Sequence, residues 1–127
     1  MNNEKDNVYD LVEDFYAHDE GWNTLLRQEY AEGFLRMEAW KGKKNSDLYR
    51  SWDNLTMLCL YLGSAETFLG DMNADDFIDC IAWCGRNISE FTPDYKNTQD
   101  FLETCDGLFK YLKGKNAISN DLSLIHI

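Results

Sequence analysis

The sequence predicts an all-α protein, folded as a compact bundle of four to five helices. Apolar residues recur at intervals of three and four over most of the chain, which is the period of an amphipathic helix. A single proline occurs in 127 residues, so little in the sequence interrupts helices. One segment near the C-terminus combines a start signal, an apolar stripe and a stop signal, and such a stripe must be covered by other helices.

This central helix is predicted over residues 92–114. Thr92 is expected to cap it, Pro93 suits the first helical position because no amide hydrogen is needed there, and Gly114 is expected to end it. Its apolar stripe consists of Phe101, Leu102, Cys105, Leu108, Phe109 and Leu112. We expect the remaining helices to pack around this one.

Two helices are predicted in the first third of the chain. The first covers residues 8–18, Gly21 separates it from the next, and the second covers residues 22–40. Gly33 lies inside the second helix at a cost of about 1 kcal/mol relative to alanine. The polar stretch 41–45 ends it.

A third helix is predicted over residues 47–62, with Ser46 as its cap and Gly63 as its end. Residues 64–72 are interpreted as a helical turn followed by a loop, in which Phe68 and Leu69 favour burial.

The fourth helix is predicted to begin at Asn73, whose side chain can cap it, with Asp75 and Asp76 in the first turn. Its predicted buried side consists of Phe77, Ile78, Ile81, Cys84 and Ile88.

Charge and periodicity divide the chain into three predicted regions. Residues 1–21 form an acidic helical extension, with seven acids and one lysine among the first twenty residues. Residues 22–120 form the helical bundle, and residues 121–127 are a tail. Four apolar residues near the end are expected to dock on the bundle or to continue into a further segment: Ile118, Leu122, Leu124 and Ile125.

Composition points to a cytoplasmic protein that does not enter a membrane. The longest uncharged apolar run, residues 55–65, is far short of the roughly 20 residues that a membrane span needs. The first ten residues are acidic and do not resemble a signal peptide.

The four cysteines are predicted to be reduced and buried. Each is in phase with the apolar face of its own helix, and an unbridged cysteine behaves as a small apolar residue. The alternative is a metal or redox site built from all four: Cys59, Cys80, Cys84 and Cys105.

The sequence predicts no catalytic activity and no cofactor. The two histidines, His18 and His126, have no nucleophile or second ligand near them in sequence, and no phosphate-binding loop or hydrolase motif occurs. We therefore expect a binding protein rather than an enzyme.

The charge of the whole chain and the charge of its local patches give opposite predictions about nucleic-acid binding. A net charge of −11 opposes general affinity for phosphates. Two local basic patches nevertheless occur, and the larger one consists of Arg36, Lys41, Lys43, Lys44 and Arg50. The smaller one consists of Lys110, Lys113 and Lys115.

Three groups of residues occur in order between residues 30 and 120. The first opens and ends the predicted third helix: Ser46, Tyr49, Tyr61 and Leu62. The second leads into the fourth helix: Leu69, Asn73, Asp75, Asp76, Phe77 and Ile78. The third extends from before the last helix to the turn after it: Ser89, Thr92, Phe109, Lys110, Tyr111, Leu112, Lys115, Ile118 and Asn120. This order of features resembles the N-terminal core-binding, SAM-like domain of tyrosine recombinases of the phage-integrase type.

The resemblance implies a SAM-like helical fold and a module that clamps duplex DNA from one side, mainly through phosphates. It places the DNA contacts at Lys43, Lys44, Ser46, Tyr49, Arg50 and Lys96. The chain departs from the family's pattern in its acidic charge and in having no counterpart of the catalytic domain. The alternatives are an acidic interaction or regulatory domain with a basic protein partner, and the thiol site described above.

Overall fold

The computed structural model describes residues 7–119, and in this part of the chain all regular secondary structure is helical, with no strand. The all-α prediction is therefore confirmed. The helices are α1 (Val8–His18), α2 (Trp22–Leu25), α3 (Gln28–Trp40), α4 (Asn45–Ala65), α5 (Ala74–Asn87) and α6 (Tyr95–Gly114), with a 3-10 turn at Leu69–Asp71. Between residues 7 and 119, six helices replace the predicted four to five because one predicted helix is interrupted.

Contacts within the chain define two units, one before Asn54 and one from Asn54 onward. Helix α4 begins in the first unit and ends in the second. The predicted boundaries at residues 21 and 120 stay a prediction. Residues 1–6 of the acidic extension and residues 120–127, with the docking positions Leu122, Leu124 and Ile125, lie outside the described residues.

The first unit is organised by α1 and α3, which pack against each other. Helix α1 has the predicted bounds, and a capping box fixes its start: Asn7 accepts from the amide of Asp10, and Asp10 accepts from the amide of Asn7. At its other end Phe15 stacks on Trp22 at 4.9 Å between ring centroids and meets Trp52 edge-on at 5.3 Å. This aromatic group supplies a large apolar area to the unit.

The prediction of one helix over residues 22–40 is wrong. Leu26 and Arg27 are extended, so α2 ends before them and α3 begins after them. Leu26 is buried, and its carbonyl oxygen accepts a hydrogen bond from the hydroxyl of Tyr16, while the side chain of Asn23 accepts from the amide of Gln28 at 2.8 Å. These contacts favour the break over a continuous helix.

The predicted limits of the third helix are also wrong. Helix α4 already includes Ser46, so this residue is not its cap, and it continues past Gly63. A helix tolerates an interior glycine at about 1 kcal/mol relative to alanine. The end comes at Glu66, which has a left-handed φ of 54°, and the amide of Thr67 bonds back to the carbonyl of Leu62 at 3.2 Å.

Helix α5 begins as predicted after Asn73. The side chain of Asn73 accepts from the amide of Asp76 at 3.1 Å, and that of Asp76 accepts from the amide of Asn73 at 2.8 Å. The predicted burial of Ile78 is wrong, because Phe77 and Cys80 face inward and Ile78 is half exposed. Before the helix, the predicted loop contains the 3-10 turn, with Leu69 buried as expected but Phe68 half exposed, so its predicted burial is wrong.

Helix α6 is the central element of the second unit, and every residue of its predicted stripe is buried. Its start lies later than predicted: Asp94, not Thr92, is the cap, because its carboxylate accepts from the amide of Asn97 at 2.8 Å. Pro93 therefore precedes the cap. Phe109 packs edge-on against Phe77 of α5 at 5.4 Å.

A buried polar group joins α6 to α4 within the second unit. The side-chain nitrogen of Asn54 donates to a carboxylate oxygen of Asp100 at 3.0 Å and to the hydroxyl of Thr104 at 2.9 Å. The hydroxyl of Thr104 in turn donates to the carbonyl of Asp100 at 3.1 Å. Asn54 and Thr104 are both buried, so these bonds satisfy groups that cannot reach water.

Candidate nucleic-acid interface

The turn between α3 and α4 carries two of the six predicted DNA contacts, three more follow in the first two turns of α4, and backbone hydrogen bonds hold the conformation of the turn. Gly42 has a left-handed φ of 108°. The amide of Gly42 bonds to the carbonyl of Ala39 at 3.0 Å, and the amide of Lys43 bonds to the carbonyl of Glu38 at 3.1 Å. This is a Schellman motif, in which glycine occupies the left-handed position without strain.

An ion pair reinforces the motif. In a Schellman motif the two residues joined by the hydrogen bond that spans five positions, here Glu38 and Lys43, usually make an apolar contact. Here Nζ of Lys43 instead lies 2.9 Å from a carboxylate oxygen of Glu38, whose side chain is mostly buried. Lys43 thus fixes the turn, and part of its charge is compensated.

The other cations of this patch differ in how far they are compensated. Lys41 and Lys44 are exposed, and between residues 7 and 119 no ion pair involves either of them. Arg50 lies 3.7 Å from a carboxylate oxygen of Asp47, a long and exposed pair that is worth little. Residues 36–50 contain five cations and two acids, a local charge of +3 in a chain of −11.

The remaining predicted contact residues are placed as follows. Ser46 is exposed in the first turn of α4, and Tyr49 is half-buried one turn further along. Lys96 is exposed in the first turn of α6, in the second unit, next to the exposed ring of Tyr95. The structure thus brings together Lys43, Lys44, Ser46, Tyr49 and Arg50 in the first unit.

Sequence reasoning missed Trp40, the last residue of α3. Its side chain is 89% exposed, although tryptophan is usually well buried. The signal was its place directly before a Lys-Gly-Lys-Lys turn, outside the apolar stripe of the predicted helix. Lys41 and Lys44 both follow it within four residues, so an exposed aromatic ring and two uncompensated cations lie close together in sequence where α3 ends.

The cysteines are unbridged and buried, as predicted. Burial raises the pKa of Cys59 to about 12 and that of Cys105 well above its ordinary value. A thiol hydrogen bond to Cys84, together with burial, raises the pKa of Cys80, and the same bond lowers the pKa of Cys84. A thiol that stays protonated and inaccessible to solvent is a poor nucleophile.

The cysteines do not build the alternative metal site. Within residues 7–119, no three histidine, cysteine, aspartate or glutamate side chains are arranged to hold a metal ion. In the same part of the chain, no helix is both long enough and apolar enough to cross a membrane.

The outer side of α5 differs in character from the basic turn. Asp75 and Asp79 are exposed, and the half-exposed Ile78 lies between them in sequence. Tyr61 of α4 packs edge-on against Trp83 at 6.0 Å, and burial raises the pKa of its hydroxyl, with a smaller contribution from the charge of Asp79. This side of the second unit therefore combines negative charge with an apolar side chain.

Comparison of the chain with protein-family models, with curated proteins and with solved structures finds no match.

Proposed function

We propose that this chain is a non-catalytic helical module that binds duplex DNA mainly through its phosphates, with the turn between α3 and α4 as the contact surface. The observation that supports this most directly is the pair of exposed, uncompensated lysines, Lys41 and Lys44, on a turn held by backbone hydrogen bonds. The order of sequence features resembling the core-binding domain of tyrosine recombinases points to the same region.

The charges of the turn suit a phosphate backbone better than a single anion. Two lysines are uncompensated, and the exposed pair of Arg50 with Asp47 exchanges readily with a phosphate partner. The positive end of the α4 dipole adds to the field at Lys44 and Ser46. Phosphate contacts of this kind carry no sequence information, so we expect binding without strong sequence preference.

The strength of binding follows from the number of contacts. Two to four neutralised phosphates give a slope of about −2 to −4 in log Kobs against log salt concentration. The acidic remainder of the chain opposes approach to DNA at long range, and the few phosphate contacts weaken as the salt concentration rises. Binding is therefore expected to be weak and limited to low salt.

The test is a titration of fluorescent random-sequence duplex DNA at several salt concentrations. Changing Lys43, Lys44 and Arg50 together to glutamate is expected to abolish binding while the helical circular dichroism spectrum is retained, because all three lie outside the core. A second set with glutamine at the same positions guards against disruption of the turn by like charges at residues 38 and 43.

The matched control carries the same change of charge elsewhere. Lys110, Lys113 and Lys115 are exposed at the end of α6, and their change to glutamate alters the net charge equally. We expect this variant to bind nearly as the unchanged protein does. Equal losses in both variants would mean that only net charge matters, and undetectable binding by the unchanged protein at low salt would refute the function.

A second candidate function is an acidic interaction module for a basic protein partner. Asp75, Ile78 and Asp79 on the outer side of α5 favour it, because a basic amphipathic segment could pair with both charges and cover the apolar side chain. A synthetic Lys- and Leu-containing helical peptide tests this candidate. Binding that disappears in Asp75→Lys with Asp79→Lys, while DNA does not bind, would favour it over the first.

A further inference from the structure

Trp40 differs from the other three tryptophans of the chain. Trp22 and Trp52 both pack against Phe15, and Trp83 meets a tyrosine ring edge-on. Trp40 is 89% exposed, and no ring contact of its indole occurs among residues 7–119. An indole left in water retains its whole apolar surface and both faces for a partner.

The position of Trp40 is fixed by the structure around it. It is the last residue of α3, and the Schellman hydrogen bonds at Gly42 and Lys43 hold the backbone directly after it. The ion pair of Lys43 with Glu38 closes the same turn. Little conformational entropy is lost on binding, because the backbone that carries the indole is already ordered.

We propose that the indole of Trp40 stacks on an unpaired base while Lys41 and Lys44 hold the flanking phosphates, so that the turn prefers DNA with a gap or a single-stranded segment over continuous duplex. This inference rests on the proposed function, and it specifies the form of DNA that the same turn binds best.

The preference follows from the chemistry of the two groups. Bases in a continuous duplex stack on each other, so an indole reaches their faces only after a base step has been unstacked. An unpaired base presents its face directly, and stacking on an aromatic side chain tolerates any base because every base has a π-face. Two uncompensated lysines within four residues of an exposed aromatic ring therefore suit an unpaired base together with nearby phosphates of the same strand.

The experiment compares three DNA probes of equal length, namely a continuous duplex, a duplex with a single-nucleotide gap, and a single strand. Trp40→Ala is expected to weaken binding to the gapped and single-stranded probes about 10-fold, within the range for loss of a stacking aromatic, and to change duplex binding less than about 2-fold. Trp40→Phe keeps a ring and is expected to retain most of the affinity. The gapped probe should quench tryptophan fluorescence in the unchanged protein but not in Trp40→Phe.

Each other outcome contradicts the inference. If all three probes bind in a salt-dependent way and Trp40→Ala binds them as the unchanged protein does, the stacking role is wrong and the proposed function stands. If no probe binds, both fail together. Anionic phosphatidylserine vesicles are included because an indole beside lysines also suits a lipid surface. Quenching by vesicles without quenching by DNA would assign Trp40 to a membrane surface instead.

Discussion

Replacement of Asn54 by alanine tests how the second unit is held together. Asn54 is 5% exposed, and its side-chain nitrogen donates two hydrogen bonds to α6, one to the carboxylate of Asp100 and one to the hydroxyl of Thr104. A hydrogen bond to a charged group contributes about 1.5–3 kcal/mol and one between neutral groups about 0.5–1.5 kcal/mol. The expected loss in free energy of unfolding for Asn54→Ala is therefore about 3 kcal/mol.

The assay is urea unfolding followed by circular dichroism at 222 nm, a wavelength that reports helix. For an m-value of about 1.5 kcal/mol/M, the expected loss lowers the midpoint by about 2 M. Asn87→Ala is the matched control. The side chain of Asn87 also donates a hydrogen bond, in this case to the carbonyl of Trp83 at 2.9 Å, but it is exposed on α5. We expect the control to change the stability by less than about 0.5 kcal/mol.

A double-mutant cycle with Thr104→Val separates the hydrogen bond from other effects. Valine has nearly the shape of threonine but cannot accept from Asn54, so the two losses should be less than additive, with a coupling of about 1 kcal/mol. Equal stability of Asn54→Ala and Asn87→Ala, or strictly additive losses in the cycle, would refute the reasoning about this buried group.

Three further predictions concern backbone and protonation. A methyl group on Gly85 would lie 2.9 Å from the ring of Pro93, so Gly85→Ala should lower the stability measured by thermal unfolding. A methyl group on Gly114 would have no neighbour within 4 Å, so the control Gly114→Ala should stabilise the protein by about 0.5 kcal/mol. Glu66→Gly should raise the free energy of unfolding by about 1 kcal/mol, because Glu66 holds a left-handed φ of 54°, and no gain would contradict this. The buried Cys59 thiol has its pKa raised from 9.0 to about 12, so the folded state keeps a proton that the unfolded state loses, and stability falls as the pH rises from 9 to 12. In urea unfolding with a non-thiol reductant, Cys59→Ala should reduce this fall by up to about 1.4 kcal/mol per pH unit, and an unchanged pH dependence would contradict the burial of the thiol.

The course of the chain could be predicted from the sequence wherever an apolar stripe coincided with a local cap. Helix α1 and the start of α5 are examples: in both, an asparagine and an aspartate three residues later form a capping box that involves no distant residue. The buried stripe of α6 could also be predicted, because apolar residues that recur every three or four positions over a long segment indicate an amphipathic helix.

The errors occurred where the backbone depends on contacts distant in sequence, or where a weak local signal was taken as decisive. The predicted helix over residues 22–40 is interrupted at Leu26, whose carbonyl oxygen accepts a hydrogen bond from the hydroxyl of Tyr16, ten residues away. Gly63 was expected to end α4, but the chain turns at Glu66, a residue type that rarely adopts a left-handed φ.

The candidate interface was partly predictable for the same reason. A run of cations around a glycine identifies a basic turn from sequence alone. The ion pair of Lys43 with Glu38 and the exposure of Trp40 both depend on how α3 ends and where each side chain then points, which periodicity does not specify. Sequence therefore located the patch but did not show which of its charges are uncompensated.

The salt dependence of duplex DNA binding tests the central claim most directly. For the unchanged protein, log Kobs is expected to fall with log salt concentration with a slope of about −2 to −4, and Lys41→Gln with Lys44→Gln should make this slope less steep by about 1.8, since each phosphate contact contributes about 0.9. Undetectable binding at low salt, or a slope that the two substitutions leave unchanged, would contradict a phosphate-binding role for this turn.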